Sequence, residues 1–409
     1  MKILMVNKFL YPRGGAETYF LKLGEQLNKE GHEVIYFGMS DLKNTVGNPE
    51  GLYTGNMDFH GTGAERFLYP FKIIYSMEAK RKFSEIIRWE QPDVIHFNNI
   101  NFQLTPSVID AGWEAGIPMV QTAHDSQMVC PGHLLLNTKT KRTCTKCING
   151  SKWNCARYSC IHGSKVKSIL GSVEGILYKH RKNYDRLDRI ICPSSFMEKI
   201  LKQDERFVGK TLVLPNFAEE KKMDAVAEKK GYVLYFGRLS EEKGLDGLLK
   251  ACRMLPEIPF VIAGSGPMEE MCRNTGLKNV TFVGFQTGKQ LETLIREAAF
   301  SLCLSICYEN CPLSVLESQQ YGTPVIGNRI GGIPELIEEG TTGLLNNEFI
   351  PESYARTIKG LYENHDLLWQ MTENCRKRKF MGLKEYTEQM VEIYQQVIAE
   401  HVQKRREQS

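Results

Sequence analysis

The sequence has no apolar run long enough to cross a membrane. None of its 409 residues lies in a stretch that approaches the ~18 apolar residues of a spanning helix. The first residues, MKILMVNKFL, lack the long apolar centre and the small-residue cleavage site of a signal peptide. Disorder is indicated only in the last residues, VQKRREQS. We therefore expect a globular protein of the cytoplasm.

The 12 cysteines do not predict a disulfide framework. In a reducing compartment we expect them to be mostly buried thiols or metal ligands. Apolar residues make up 42% of the chain and charged residues 24%, an ordinary globular balance, and the formal net charge is +4. A chain of 409 residues exceeds what one hydrophobic core usually supports. We therefore expect two domains, each with its own core.

Short apolar runs alternate with amphipathic stretches along the whole chain. This alternation predicts α/β architecture, with strand and helix units forming two doubly wound, Rossmann-like domains. We place the boundary where charges accumulate, in AEEKKMDAVAEKKG. The predicted domains are residues 1–218, with a Cys-rich insert near 126–163, and residues 219–385. A final amphipathic helix, 386–409, should pack back toward the first domain. Because ligands of such sheets bind at the carboxyl ends of the strands, the working site is expected in a cleft between the domains.

A glycine pair follows the first predicted strand, in YPRGGAETY. Gly14 and Gly15 would let the backbone approach a ligand, and the helix that begins near Ala16 would point its unpaired amides toward that ligand. Two glycines in a strand-to-helix turn are also explained by the turn alone. They become candidates for phosphate binding because the second half of the chain also indicates a phosphate.

Two cations stand on a loop of the second domain, in YFGRLSEEKG. Arg238 and Lys243 follow a predicted strand, where they could neutralise a diphosphate. The alternative is that both are solvated surface residues. The loop AGSGP adds a second glycine turn. Its Gly264 and Gly266 suit the close approach of a flat base or a ribose.

Two glutamates flank the start of a predicted helix in CYENCPLSVLE. Pro312 suits the first helical position, so the amides near Leu313 and Ser314 would be free to hold a phosphate oxygen. An acid beside a phosphate is repulsive unless it binds hydroxyls, and a carboxylate can accept two hydrogen bonds at once. We therefore predict that Glu309 binds the hydroxyls of a sugar and that Glu317 binds a ribose. Alternatively, Glu317 is solvated and Glu309 stabilises the helix dipole.

These motifs resemble those of the retaining glycosyltransferases of family 4, which have the GT-B fold. In the second domain the resemblance is carried by FGRLSEEKG, CYENCPLSVLESQQYGTPVI and GGIPELIEEGTTGLL. In the first domain it is carried by PRGGAE, DVIHFNN, QTAHD, CPSSF and LPNF. It covers nearly the whole chain. It implies transfer of a sugar from a nucleotide diphosphate, expected to be UDP, to a hydroxyl group, with the anomeric configuration kept.

The resemblance also implies roles for individual residues. Arg238 and Lys243 would hold the diphosphate, Glu317 the ribose and Glu309 the donor sugar. His124, in QTAHD, would touch the donor sugar near the reacting carbon. Without the resemblance, a structural histidine at a strand end is the simpler explanation for His124.

A catalytic metal is not expected. Some sugar transferases hold a divalent metal with an Asp-x-Asp pair, and this sequence has no such pair. Fixed cations and helix amides can instead stabilise a departing diphosphate. No carboxylate is evident as a covalent nucleophile, which favours a front-face displacement in which the leaving phosphate helps to take the acceptor's proton. The alternatives are a sugar-nucleotide epimerase, which needs no acceptor, and a non-catalytic binding protein stabilised by zinc.

The segment after QTAHD is rich in cysteine and poor in apolar residues. Cys144 and Cys147 form a CxxC pair, followed by Cys155 and Cys160, with Cys130 upstream. Four thiolates in a polar segment predict a structural zinc site, which would supply folding energy that burial cannot. Five cysteines compete for four positions, so Cys130 is an alternative ligand. Free or redox-active thiols are the other interpretation.

Basic residues dominate the stretch from 139 to 189, which has 13 Lys and Arg against three acids. This charge indicates attraction to an anionic membrane surface or to the pyrophosphate of a lipid-linked acceptor. A solvated helix face is the alternative. Nucleic acid is not expected as a partner, because the stretch has no recognised motif. The predicted partners are a nucleotide diphosphate sugar and a glycan or lipid-linked acceptor in cell-surface polysaccharide synthesis, with peripheral membrane association left open.

Overall fold

A computed structural model of the chain describes residues 1–55, 74–218 and 229–408. The predicted boundary near residue 220 lies largely within 219–228, outside the described residues. The chain divides into two compact units. Unit 1 comprises Met1–Thr140, Cys144–Asn216 and Leu383–Ser409, and unit 2 comprises Lys141–Thr143 and Phe217–Gly382.

Unit 1 is built on a six-stranded parallel sheet. Its strands are β1 (Lys2–Val6), β2 (Glu33–Phe37), β3 (Val94–Phe97), β4 (Met119–Thr122), β7 (Arg189–Cys192) and β8 (Thr211–Val213). Two short strands, β5 (Leu136–Asn137) and β6 (Arg142–Thr143), lie between β4 and β7 in sequence. The order in the sheet is β2-β1-β3-β4-β7-β8, and Leu4 of β1 pairs with Ile35 on one side and Ile95 on the other. The central strands β3 and β4 are buried along their whole length, as parallel strands covered on both faces require.

Helices alternate with these strands. They are α1 (Gly15–Lys29), α2 (Met77–Glu90), α3 (Ser107–Ala115), α4 (Asn154–Tyr158), α5 (Lys165–His180) and α6 (Ser195–Leu201). Three of them begin after a serine whose side chain accepts a hydrogen bond from a first-turn amide, namely Ser76, Ser164 and Ser194. Such caps satisfy amides that the helix itself leaves unpaired.

Unit 2 repeats the architecture with a second six-stranded parallel sheet. Its strands are β9 (Val233–Phe236), β10 (Phe260–Ala263), β11 (Val280–Gly284), β12 (Phe300–Cys303), β13 (Val325–Asn328) and β14 (Gly343–Asn346). Its helices are α7 (Leu245–Met254), α8 (Glu269–Arg273), α9 (Gly288–Glu297), α10 (Leu313–Gln320), α11 (Ile333–Leu336), α12 (Pro351–Glu363) and α13 (His365–Lys377). The order is β11-β10-β9-β12-β13-β14. The first three strands in sequence, β9 to β11, form one half of the sheet. The last three, β12 to β14, form the other half, with β12 next to β9.

Both faces of the second sheet are covered. Val233 and Tyr235 of β9 belong to one apolar cluster, together with residues of α7 and α12. Leu234 and Phe236 belong to another, together with Ile295 of α9. Successive side chains of a strand point to opposite faces, so the alternation places apolar contacts on both sides. The predicted class of two doubly wound, Rossmann-like domains is confirmed.

The last helix, α14 (Leu383–Gln408), belongs to unit 1. Its buried residues recur at helical spacing: Tyr386, Met390, Ile393, Tyr394 and Val397. Among the described residues, no helix is long and apolar enough to span a bilayer.

A chain of buried hydrogen bonds fixes α14 on the first sheet. The hydroxyl of Tyr386 lies 2.8 Å from that of Tyr19, which lies 3.2 Å from Thr122 Oγ1. His96 Nε2 lies 2.8 Å from the same Thr122 oxygen, and His96 Nδ1 lies 2.7 Å from the Tyr394 hydroxyl. Burial lowers the pKa of His96 from 6.5 to about 3. The folded protein therefore holds a neutral imidazole in this network.

The neutral state of His96 predicts acid sensitivity. Its stabilising contribution should be complete above pH 6.5 and decline as the pH falls toward about 3, because only the unfolded chain then protonates the ring. Between these two pKa values the loss of folding free energy from this group is about 1.4 kcal/mol per pH unit. Chemical denaturation at pH 7 and pH 5 should show a smaller pH dependence for His96→Gln than for the wild type. The exposed His365 provides the control, because His365→Gln should keep the wild-type dependence. Equal slopes for all three proteins would contradict the role of His96.

Candidate functional site

The predicted site residues of unit 2 follow three neighbouring strands. Arg238 and Lys243 follow β9, Gly264 and Gly266 follow β10, and Glu309 follows β12. β9 lies between β10 and β12 in the sheet. The carboxyl ends of the three strands therefore bring these loops to one edge, at the point where the strand order reverses, which is where ligands of such sheets bind.

Lys243 and Glu309 form an ion pair. Lys243 Nζ lies 2.5 Å from Glu309 Oε1, and the side chains are 30% and 13% exposed. The hydroxyl of Ser305 also donates to Glu309 Oε1. Burial alone would raise the pKa of Glu309, but the charge of Lys243 and the two hydrogen bonds hold that pKa below its ordinary value. Burial would likewise lower the pKa of Lys243, and Glu309 raises it above its ordinary value. Both groups are therefore charged at neutral pH.

The two loops that carry this pair are in close contact. Lys243 ends a short 3₁₀ turn, Glu241–Lys243, and the amide of Ile306 donates to the Glu242 carbonyl at 2.9 Å. A Cβ on Gly244 would lie 2.0 Å from the carbonyl oxygen of Leu304. Only glycine allows the backbones to approach so closely. The contact determines where Lys243 and Glu309 stand relative to each other.

A buried asparagine at the end of β13 supports the same loop. The amide nitrogen of Asn328 donates to the carbonyls of Leu304 and Ser305, both at 3.0 Å, and to the Tyr354 hydroxyl at 2.9 Å. Asn328 is fully buried. Sequence reasoning missed this residue, because nothing local distinguishes an asparagine at a strand end from one in a turn.

The backbone of Glu309 is held by a second glycine loop. The amide of Gly332 donates to the Glu309 carbonyl at 2.7 Å. Gly331 has φ 61, and a Cβ there would lie 2.2 Å from the Glu309 carbonyl oxygen. These glycines belong to the GGIPE motif. The motif contributes to the family resemblance, but the sequence predicted no role for its glycines in supporting Glu309.

Arg238 is exposed at the same edge. Its carbonyl accepts a hydrogen bond from the Tyr235 hydroxyl at 2.8 Å, which fixes the backbone of the loop. Within the described parts of the chain, its guanidinium forms no ion pair. This second cation is thus available to an anionic ligand.

Gly264 and Gly266 have a structural explanation. Gly264 has φ 151, and a Cβ there would lie 1.9 Å from the Gly237 carbonyl oxygen. A Cβ on Gly266 would lie 2.5 Å from the Leu239 carbonyl oxygen. The glycines bring the loop after β10 against the loop that carries Arg238. Contact with a base or a ribose stays a prediction.

Helix α10 begins at Leu313, and Pro312 occupies the position before it. Pro312 was predicted to be the first helical residue. Its ψ of 115 is extended, so it precedes the helix instead. No side chain caps the helix. Leu313, Ser314 and Glu317 are all partly exposed. A phosphate at the first amides and a ribose at Glu317 stay predictions.

The glycine pair of unit 1 lies where α1 begins. Gly15 is the first helical residue, and Gly14 precedes it in an extended conformation, with φ −163. Any residue can adopt that backbone, and both glycines are exposed. A Cβ on Gly14 would lie 3.3 Å from Glu17 Oε2. Ligand binding at the two glycines stays a prediction.

His124 lies in unit 1, just after β4. Its Nε2 lies 2.8 Å from Asn98 Oδ1. Burial lowers the pKa of His124 to about 4, so the ring is neutral at physiological pH. A neutral, hydrogen-bonded ring is compatible with either predicted role, contact with a sugar or structural support.

Unit 1 also contains a group of connected polar side chains on NNINFQ and on the segment after β4. NNINFQ is a candidate for acceptor contacts on sequence grounds. Asn101 Nδ2 lies 2.8 Å from His133 Nδ1 and 3.4 Å from Asp125 Oδ2. In the described part of the chain, Asn98 Nδ2 and Asn101 Oδ1 are buried and have no hydrogen-bond partner. Unpaired buried polar atoms are costly unless a ligand or water satisfies them. The motif NNINFQ was the signal for this group.

The Cys-rich segment gathers several of the predicted zinc ligands. Cys147, Cys155 and Cys160 share one buried cluster, whereas Cys144 is partly exposed. A hydrogen bond between Cys155 and Cys160 raises the pKa of Cys155 and lowers that of Cys160. Cys130 is buried as well. Across residues 1–55, 74–218 and 229–408, no three His, Cys, Asp or Glu side chains are arranged to hold a metal ion.

Comparison with known proteins identifies the family. Residues 13–221 match the family described as Glycosyltransferase Family 4, and residues 216–378 match that described as Glycosyl transferases group 1. The chain belongs to Glycosyltransferase Family 4 and is a glycosyltransferase, as its motifs predicted.

Individual relatives agree with this assignment. An uncharacterized glycosyltransferase of Methanocaldococcus jannaschii is 25% identical over 390 residues, covering 92% of this chain and 93% of the relative. The amylovoran biosynthesis glycosyltransferase AmsK of Erwinia amylovora is 28% identical over 223 residues, covering 49% of this chain and 52% of AmsK. The crystal structure of HepE from Anabaena, in complex with UDP and glucose, has a TM-score of 0.67 at 17% identity and covers 97% of this chain and all of HepE. The last similarity supports the predicted GT-B fold.

The contact between Gly331 and Glu309 predicts a specific loss of stability. Gly331→Ala should cost about 3 kcal/mol, because it adds steric overlap with a carbonyl to the strain of a positive φ. Gly340 is a matched control, since it has φ 76 and a Cβ there would meet nothing within 4 Å. Gly340→Ala should cost about 1 kcal/mol. Chemical denaturation of both variants measures the difference, and equal losses would show that Gly331 does not support Glu309.

Proposed function

We propose that the protein transfers a sugar from a nucleotide diphosphate, with UDP as the favoured nucleotide, to a hydroxyl of a glycan or lipid-linked acceptor in cell-surface polysaccharide synthesis. The observation that carries this proposal is the Lys243–Glu309 ion pair beside the exposed Arg238, at the switch point of the second sheet. The UDP and glucose of HepE and the polysaccharide named for AmsK support it.

In this proposal the cations bind the diphosphate of the donor, and Glu309 binds its sugar. Lys243 has three N–H donors, so it can keep Glu309 and also hold a phosphate oxygen. Arg238 neutralises the remaining charge of the diphosphate, and the first amides of α10 contribute further donors. Glu309 has a second carboxylate oxygen to accept a sugar hydroxyl. Glu317, on the next turn of α10, takes the ribose.

The chemistry follows from charge stabilisation. A nucleotide diphosphate leaves more easily when fixed cations and amides meet the charge that develops on it. Arg238 and Lys243 perform this role without a metal in the proposed mechanism. No carboxylate is assigned as a covalent nucleophile, so the acceptor hydroxyl attacks from the side that the diphosphate leaves. The bond from the anomeric carbon to the phosphate oxygen breaks, and the departing phosphate takes the proton of the acceptor hydroxyl. The anomeric configuration is then kept.

The acceptor contacts belong to the polar group of unit 1. Asp125, His133 and Asn101 form connected hydrogen bonds, and Asn98 and Asn101 retain unpaired polar atoms. Sugar hydroxyls both donate and accept hydrogen bonds, so they can satisfy amide and carboxylate groups together. We assign these residues to acceptor hydroxyls and keep His124 for the donor sugar.

We further propose that the Cys-rich segment takes up one structural zinc ion. Cys147, Cys155 and Cys160 share one buried cluster but are not arranged to hold a metal ion as they stand. In this proposal zinc draws their thiols together with Cys144 or Cys130 into a four-cysteine set. Zinc binding would replace thiol protons and hold a segment that has few apolar residues of its own.

The proposed activity is tested by product analysis. The purified protein is incubated with a panel of sugar nucleotides and with free or lipid-linked glycan acceptors, and the products are identified by mass spectrometry. A glycosylated acceptor and released UDP are expected, and NMR of the new linkage should show the configuration of the donor. Conversion of the donor to an isomer without an acceptor would favour an epimerase, and binding without turnover would favour a binding protein.

The assigned cations are tested with matched controls. Lys243→Met and Arg238→Met should each lower kcat/KM about 100-fold, because each removes charge from the leaving group's site. Glu309→Gln should lower turnover strongly while the fold is kept. Lys250→Met and Arg253→Met remove exposed cations from the nearby α7 and should leave kcat/KM unchanged. Wild-type rates for the Lys243 and Glu309 variants would remove both residues from the site.

The zinc proposal predicts about one zinc per chain in freshly purified, unchelated protein. Cys155→Ser should lose the metal and destabilise unit 1. Cys252→Ser, which changes a buried cysteine of α7, should keep it. Elemental analysis by mass spectrometry measures all three proteins, and wild-type protein without zinc would refute the proposal.

A further inference from the structure

Helix α5, Lys165–His180, turns its apolar side outward. The residues that it buries are small or polar, namely Ser168, Gly171, Ser172, Glu174 and Tyr178. Its exposed residues include four large aliphatic ones, Val166, Ile169, Val173 and Ile176, with exposures of 77%, 40%, 38% and 36%. Spacings of three and four residues place these four on one side of the helix. An ordinary surface helix has the opposite orientation.

Hydrogen bonds fix this orientation. Ser172 Oγ accepts from the amide of Ala156 at 3.0 Å and donates to the Lys152 carbonyl at 2.9 Å. Ser168 Oγ accepts from the amide of Ile161 at 2.9 Å. The helix cannot turn its aliphatic side inward without leaving these groups of the Cys-rich segment unpaired, which is costly for buried groups.

The buried side is also too tightly packed for large side chains. A Cβ on Gly171 would lie 2.6 Å from Ile161 Cδ1, and a Cβ on Gly175 would lie 3.1 Å from the ring of Pro131. Glycine permits this close approach. The outward position of the aliphatic residues is therefore a property of the fold.

The exposed charged residues of α5 have one sign. The only acid of α5 is Glu174, which is 5% exposed. The exposed charged residues of the helix are the cations Lys165 and Lys167 in its first turn and Lys179 in its last. Lys182 follows, next to Arg181, whose guanidinium pairs with the buried Asp110 at 3.2 Å. Aliphatic residues bordered by cations complement a surface with an apolar interior and anionic headgroups.

We propose that α5 docks the protein on an anionic lipid bilayer, with Val166, Ile169, Val173 and Ile176 entering the headgroup boundary and the flanking cations meeting the lipid phosphates. A second copy of the chain fits this surface less well, because a face-to-face contact would bring like charges together. The proposed function explains the purpose of this contact, which would bring the enzyme to a lipid-linked acceptor. The binding itself requires no turnover.

The experiment is flotation of the full-length protein with vesicles. One set contains equimolar phosphatidylcholine and phosphatidylglycerol, and the other contains phosphatidylcholine alone. The wild type should float with the anionic vesicles, and less with the neutral ones. Added salt should weaken the binding, because it screens the contribution of the cations.

Two variants test the two parts of the surface. Ile169→Ser, Val173→Ser and Ile176→Ser, combined in one protein, should lower the partition coefficient at least about tenfold. Lys165→Glu with Lys167→Glu should abolish the preference for anionic vesicles. These two acids would stand in the first turn of α5, where the helix dipole favours them, so the helix itself should remain intact.

A matched control removes apolar area elsewhere. It combines Leu42→Ser, Ile350→Ser and Val402→Ser, which are exposed by 106%, 45% and 43%. This protein should float like the wild type. Sedimentation in the absence of lipid checks whether the wild type is monomeric.

Three results would overturn the proposal. They are a folded wild type that does not float with anionic vesicles, an α5 serine variant that floats as well as the wild type, and a wild-type oligomer that the serine variant dissociates. The last would show that a second copy covers the helix. Normal flotation without any sugar transfer would instead count against the proposed function alone.

Discussion

The candidate site of unit 2 depends on the close contact between the loops after β9 and β12. Gly244 lets its backbone approach the Leu304 carbonyl, and the amide of Ile306 bonds to Glu242. This contact places Lys243 beside Glu309. A carboxylate with so little access to water would otherwise favour its protonated form, and the cation keeps it charged. The contact therefore fixes a charged pair at this edge of the sheet.

A fixed charged pair has a consequence for catalysis. Fixed charges need not reorganise when the leaving group develops its own charge, and this is where most electrostatic stabilisation in enzymes arises. Asn328 and the Gly331–Gly332 loop support the residues of the site from behind. They bind no substrate in the proposed mechanism. Their role is to keep the acid and the cation in place.

In unit 1, one segment between β4 and β7 combines two unusual features. It contains the cysteines, and the polar side of α5 bonds to the backbone of Lys152, Ala156 and Ile161, which lie close to them in sequence. As a result, the aliphatic side of α5 remains in solvent. The same segment thus links the proposed zinc site to the proposed membrane surface, because loss of order around the cysteines would also release the helix.

Much of the fold was predictable from local pattern. Continuous apolar runs identified the parallel strands, and the motifs around Arg238, Lys243 and Glu309 identified the family. Helix α5 lies within a basic stretch of the sequence, but nothing in that stretch indicates which side the helix buries. Helical periodicity defines an apolar side without determining what that side contacts.

The sequence by itself determined the type and order of the strands and helices, because these depend on residues close together in the chain. Only the tertiary structure decided that Lys243 pairs with Glu309, 66 positions away, that Gly264 packs against Gly237, and that the aliphatic side of α5 faces outward. These contacts depend on strand order and on hydrogen bonds between distant segments. No local pattern records them.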